Sequence, residues 1–177
     1  MFTRRTFLKT GLAGGALLAL AAAFREPLTR RGRQALMEGY PLVASERTVV
    51  AAIASVILRG VMPGKDPERG AALSRVVDGV AVAVSSLGAS AQWEISELFA
   101  LLMFPPTRIA VAGLLRPWEQ AADADIESFL AAWRDSRFGL LQSGYQALHD
   151  LVLGAWYADP SSWAAIGYPG PPQLGQS

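Results

Sequence analysis

Residues 66–88 read DPERGAALSRVVDGVAVAVSSLG, and the fold turns on this stretch. Taken alone, Val80-Ala81-Val82-Ala83-Val84 has the β-branched content of a strand. The wider window carries a different period. Leu73, Val76, Val77, Val80, Val84 and Leu87 fall at relative positions 0, 3, 4, 7, 11 and 14, which is one face of a helix. Asp66-Pro67-Glu68 supplies a start, with a capping acid, Pro at the first helical position and an acid in the first turn. Gly88 supplies the stop. No partner strand is evident elsewhere, so the segment is read as helix and the chain as all-α.

The same rhythm runs outward on both sides. Val49, Ile53, Val56 and Ile57 sit at 0, 4, 7 and 8, with Ser45 as N-cap and Gly60 and Pro63-Gly64 as the end. A third segment opens at Ser90, carries Ile95, Leu98, Phe99 and Leu102, and stops at Pro105-Pro106. A short apolar helix is expected over residues 107–115, broken by Gly113 and Pro117. Behind Asp123 and Asp125, Ile126, Phe129, Leu130 and Trp133 again occupy 0, 3, 4 and 7. The longest helix is expected from Ser136 to Tyr157, with Leu141, Tyr145, Leu148, Val152 and Trp156 on one stripe and Asp159-Pro160 after it. The expectation is a compact bundle of five to six helices over residues 45–160. A signal segment (1–23) and a linker (24–44) precede it, and an irregular Pro/Gly/aromatic tail (161–177) follows.

Composition narrows the chemistry. A hydrophobic content of 51% and a mean hydropathy of +0.26 are too high for a disordered chain. Sixteen basic against fifteen acidic residues give no support to nucleic-acid binding. The absence of Cys excludes disulfides, Zn–Cys sites, iron–sulfur clusters and thiol catalysis, and one His leaves little for imidazole chemistry.

The charges are unevenly placed. Arg4, Arg5 and Lys9 precede an uncharged stretch from Thr10 to Phe24, whose core from Gly11 to Ala23 is only Gly, Ala and Leu. As a helix it would span about 22 Å, short of the roughly 30 Å hydrocarbon core, so a secretory signal is favoured over a membrane span. Thr3-Arg4-Arg5-Thr6-Phe7-Leu8-Lys9 fits the twin-arginine pattern Ser/Thr-Arg-Arg-x-Phe-Leu-Lys at every defined position, which makes Arg4, Arg5, Phe7, Leu8 and Lys9 the export signal. Ala19, Ala21 and Ala23 offer cleavage sites. From Gln34 onward the chain holds 9 basic and 14 acidic residues, a formal −5, so only Arg25, Arg30, Arg31 and Arg33 form a basic cluster. The twin-arginine route carries folded cargo, commonly cargo that has taken up a cofactor in the cytoplasm, and this sequence shows no cofactor motif of its own.

Candidate chemical residues are few. His149 stands beside Asp150, but adjacent helical residues point about 100° apart, so no orienting pair is expected. Asp123, Asp125 and Glu127 lack a Gly-containing calcium loop and read as acids complementing a helix start. No G-x-G-x-x-G, P-loop or G-x-S-x-G occurs. No catalytic, cofactor-binding or metal-ligating residue is assigned. The aromatic residues Trp156, Tyr157, Trp163 and Tyr168 crowd toward the Pro-rich end, where they can serve as interface anchors.

That end carries a resemblance. Ala155-Trp156-Tyr157-Ala158-Asp159-Pro160, then Trp163, then Ile166-Gly167-Tyr168-Pro169-Gly170-Pro171 resembles the C-terminal signature of the gluconate 2-dehydrogenase subunit 3 family, without the Gly/Asn-rich insert common between Asp-Pro and Trp. Members are small subunits of periplasmic flavin-dependent dehydrogenases. The resemblance implies a non-catalytic subunit that binds an FAD-containing large subunit of the glucose-methanol-choline type and co-exports it through the twin-arginine translocase. A cytochrome c subunit often takes the electrons onward. It also implies a docking surface at Trp156, Tyr157, Trp163, Tyr168, Pro169, Gly170 and Pro171. Two other classes stay open: an independent periplasmic helical protein, held at the inner membrane by an uncleaved signal and binding a lipid or another complex, and an enzyme using His149 or carboxylates.

Overall fold

The computed structural model describes residues 41–163 and 167–170. Among these are seven α-helices and no strand: α1 Ala44–Ile57, α2 Glu68–Ser86, α3 Ala89–Met103, α4 Pro105–Thr107, α5 Asp123–Arg134, α6 Gly139–Ala158 and α7 Pro160–Trp163. A π-helical turn, Arg108–Ala112, extends α4, and a 3-10 turn, Trp118–Gln120, precedes α5. The twin-arginine signal, and the linker apart from its last four residues, lie outside the described residues.

The ambiguous valines settle as helix. A strand would send Val80, Val82 and Val84 to one face. Instead Val80 and Val84 are fully buried while Val82 is 68% exposed. Each buried valine contributes on the order of 2 kcal/mol. The most extensive helix pairing joins α2 to α6. It is close because Gly79 has no side chain, and a Cβ there would stand 2.9 Å from the Ala155 Cβ. Around that pair, α1 lies against α2, α3, α5 and α6 and buries Val49, Val50, Ile53 and Ala54. Phe99 and Leu102 of α3 and Ile126, Phe129 and Trp133 of α5 complete the core.

Several helix ends differ from expectation, each for a local reason. Helix α1 starts one residue before Ser45, because the buried Glu46 carboxylate accepts the Val43 N–H at 3.0 Å and fixes the entry. In α2, Pro67 rather than Asp66 occupies the N-cap position and no side chain caps the helix; the Arg69 N–H donates instead to the Lys65 carbonyl at 3.0 Å, and Glu68 adds its charge to the first turn. Pro105 and Pro106 begin α4 as well as ending α3, since a helix's first N–H groups need no intrahelical acceptor. The expected helix over 107–115 therefore becomes α4 plus the π turn, closed at Gly113 with φ 70°. Helix α6 starts at Gly139 rather than Ser136, whose hydroxyl instead accepts the Phe138 N–H at 3.1 Å.

Among the described residues no single helix is long and apolar enough to cross a membrane. The bent pair Ala89–Met103 and Pro105–Ala112 is apolar enough together but turns by 81°, and its Phe99 and Leu102 are spent on the core.

Candidate functional site: the C-terminal aromatic corner

Helix α6 delivers the chain to Asp159, which ends one helix and caps the next. Its carboxylate accepts the Ser161 N–H at 2.9 Å and the Ser161 hydroxyl at 2.6 Å, and Arg75 Nε reaches it from α2 at 2.8 Å. The Ser161 hydroxyl, joined by the Ser161 N–H and Arg75 and opposed by burial, holds the Asp159 carboxyl below its ordinary value. The Ser162 hydroxyl donates to the Trp156 and Asp159 carbonyls at 2.7 and 2.8 Å, occupying acceptors left at the end of α6.

Beyond this corner the chain folds back on itself. Trp163 Nε1 donates to the Tyr157 carbonyl at 2.8 Å, and the Tyr168 N–H donates to the Trp163 carbonyl at 3.0 Å. The two rings meet edge to face, with centroids 5.3 Å apart at 74°. Gly170 lies over the indole at φ 96°, where a Cβ would come within 3.2 Å of Trp163 Cζ3. Backbone conformation and space both favour glycine there. Tyr157 and Tyr168 are 48% and 46% exposed, Pro169 is exposed, and Trp163 and Gly170 are half-buried between them. The corner presents aromatic surface held in place by the Trp163 indole and Tyr168 backbone hydrogen bonds.

The docking set expected from the sequence is thus partly assembled. Tyr157, Trp163, Tyr168, Pro169 and Gly170 stand together. Trp156 does not join them: it is 3% exposed and belongs to the core stripe of α6, because successive helical residues diverge and Tyr157 took the outward position. Pro171, like Arg4, Arg5, Phe7, Leu8 and Lys9, lies outside the described residues. Arg75 and Ser161 were not legible as site residues. Arg75 reaches Asp159 across 84 positions of sequence, although Asp159-Pro160 read as a cap with Pro at the first helical position would have pointed to Ser161.

Asp123 and Glu127 both accept from Arg59, at 3.3 and 2.9 Å, tying the end of α1 to the start of α5. Among the described residues no three acidic or His side chains converge as a metal would require. His149 stacks on Tyr145, centroids 5.5 Å apart, at the edge of a half-open groove of about 280 Å³ with Val56, Ile57 and Leu130. Its Nδ1 is 3.5 Å from Asp150 Oδ1, an atom that Gln146 Nε2 engages at 2.7 Å, so Asp150 does not orient the ring.

Residues 1–21 match the TAT (twin-arginine translocation) pathway signal sequence family. No curated protein and no solved structure matches the chain. The chain accordingly carries a twin-arginine export signal, engages the twin-arginine translocase and is directed across the membrane to the periplasm.

Proposed function

We propose that this chain is a non-catalytic small subunit that docks on a folded, FAD-dependent dehydrogenase of the glucose-methanol-choline type and takes it through the twin-arginine translocase. The observation that carries the reading is the ordered aromatic corner of Tyr157, Trp163 and Tyr168, displayed on a chain whose leader belongs to a route for folded cargo. The signature over residues 155–171 agrees with it. On this reading the flavin belongs to the partner, which borrows the export signal, and a cytochrome c subunit receives the electrons.

Interface energy concentrates in a few aromatic anchors, so the paired rings of Trp163 and Tyr168 are the place to test. Trp163→Ala or Tyr168→Ala should weaken docking by about 2 kcal/mol, or roughly 30-fold in affinity. The helical domain should stay folded, since both residues lie beyond its core. Periplasmic extracts would then contain the small subunit without flavoprotein. A pull-down from cells expressing the neighbouring genes that recovers no flavoprotein would refute the reading and favour an independent helical protein of the periplasm.

A further inference from the structure

We propose that the end of the bundle where α3, the π turn and the start of α6 meet is a membrane-contact surface for anionic phospholipid. Direct contacts bring these segments together. The Trp133 indole donates to the Val111 carbonyl of the π turn at 2.8 Å. The same ring lies against Gly144 of α6, where a Cβ would stand 2.6 Å from Trp133 Cζ3 and 3.6 Å from Leu98 Cδ1 of α3. Arg108 Nε donates to the Leu114 carbonyl at 3.2 Å, which folds the loop carrying Leu115 and Arg116 back on the π turn.

Large apolar side chains are left in solvent around this junction. Leu101 stands one turn along α3 from Leu98, Leu140 one turn before Gly144, and Ile109 beside Val111 in the π turn. Leu140 and Leu115, 82% and 76% exposed, are the most exposed large apolar residues among those described, and Leu101, Ile109 and Phe138 are exposed with them. The α3 and α4–π pair has the hydropathy of a membrane span but bends by 81°, and of its large apolar residues it turns Leu101 and Ile109 outward.

The charges here are of one sign. No Asp or Glu occurs from Leu98 to Trp118 or from Ser136 to His149, and these runs carry Arg108, Arg116 and Arg137. Arg47 and Arg59 lie in an equally acid-free run, yet each is met by a carboxylate from another helix. Arg108, Arg116 and Arg137 have no carboxylate partner among the described residues. Lys65 and Arg69, the other described cations without an ion pair, stand beside Asp66 and Glu68. Arg137 packs its guanidinium 5.0 Å from the Phe138 ring centroid.

From Gln34 onward the chain is formally −5, so an anionic bilayer repels most of it and admits it by the end that holds cations and no acid. Apolar side chains entering the acyl boundary, with arginines beside them reaching back to phosphate, make an interfacial contact rather than a span. The aromatic corner lies at the far end of α6, about 25 Å from Leu140 by helical rise, so it stays open to a partner. The proposal rests on export to the periplasm and stands whether or not a flavoprotein docks.

The chain contains no Cys, so one introduced thiol reports from one place. Leu140→Cys in the full chain, labelled with the environment-sensitive fluorophore NBD, is titrated with phosphatidylglycerol/phosphatidylethanolamine vesicles. Val82→Cys, at an exposed valine of α2 outside the patch, is the control. The Leu140 label should brighten and shift to the blue while the Val82 label stays as in water. A leader embedded by itself would leave both labels in water, so the comparison reads the folded surface. Arg116→Gln with Arg137→Gln, both exposed and without ion pairs, should keep the fold and lower the insertion constant about 30-fold, from roughly 5-fold for each cation. Phosphatidylcholine vesicles should give a similarly weakened response. No change at Leu140, an equal change at Val82, an equal response to phosphatidylcholine, or undiminished insertion of the double-Gln variant would each overturn the proposal. Silence on vesicles with brightening on a bound protein would also overturn it, and would assign this end to a protein partner.

Discussion

Two glycines of α6 offer a clean measurement of what packing alone contributes. Gly144 and Gly154 lie in the interior of the same helix, and replacing either with Ala gains about 1 kcal/mol of helix propensity. Nothing lies within 4 Å of a Cβ at Gly154. At Gly144 a Cβ would stand 2.6 Å from Trp133 Cζ3 and 3.1 Å from Cε3. The indole cannot easily retreat: it is 3% exposed, sits edge-on to Phe129 at 4.8 Å, and donates Nε1 to the Val111 carbonyl at 2.8 Å. Overpacking of this kind costs about 1–3 kcal/mol, and losing the indole hydrogen bond adds about 1. Gly154→Ala should therefore stabilise by about 1 kcal/mol and Gly144→Ala should destabilise by about 1–3. Urea unfolding followed by circular dichroism at constant m would give both values. The Gly144→Ala/Trp133→Phe pair should show favourable coupling, because Phe lacks the atoms that clash. Equal effects of the two Gly→Ala changes, or additive energies in the pair, would refute the packing argument.

Three further outcomes follow from the same geometry. Asp159→Ala should destabilise by about 1 kcal/mol at neutral pH, through loss of a helix cap and an Arg75 contact. The folded Asp159 carboxyl titrates below its ordinary 3.8, so its contribution is complete above that pH and fades as pH falls beneath it. Unfolding curves of parent and variant should converge only in that acid window, and a gap that closes near pH 6 would contradict the assignment. Arg4→Lys with Arg5→Lys keeps the charge but removes the planar guanidinium pair, so the protein should remain in the cytoplasm on cell fractionation. His149→Ala should leave the activity of an assembled dehydrogenase within about threefold, whereas a loss of 10² would mark a general acid or base.

The sequence by itself determined the fold class, because helical periodicity survives wherever enough apolar residues share a face. Leu148, Val152 and Trp156 lie buried on α6 as their spacing requires, and Val80 and Val84 outweigh the strand propensity of their neighbours. It also determined the route of export, since a signal is read as a linear string and Arg4 and Arg5 need no tertiary partner to be recognised. Helix ends were less legible, because they depend on individual hydrogen bonds such as Glu46 to Val43, which a periodic pattern does not encode. Only the tertiary structure separated Trp156 from Tyr157: both are aromatic and adjacent, but one faces α2 and the core while the other faces solvent. It alone brought Arg75 of α2 to Asp159 at the end of α6. Contacts between residues far apart in the chain arise from how helices pack, and that packing is fixed by small residues such as Gly79 and Gly144, whose importance lies in the atoms they lack.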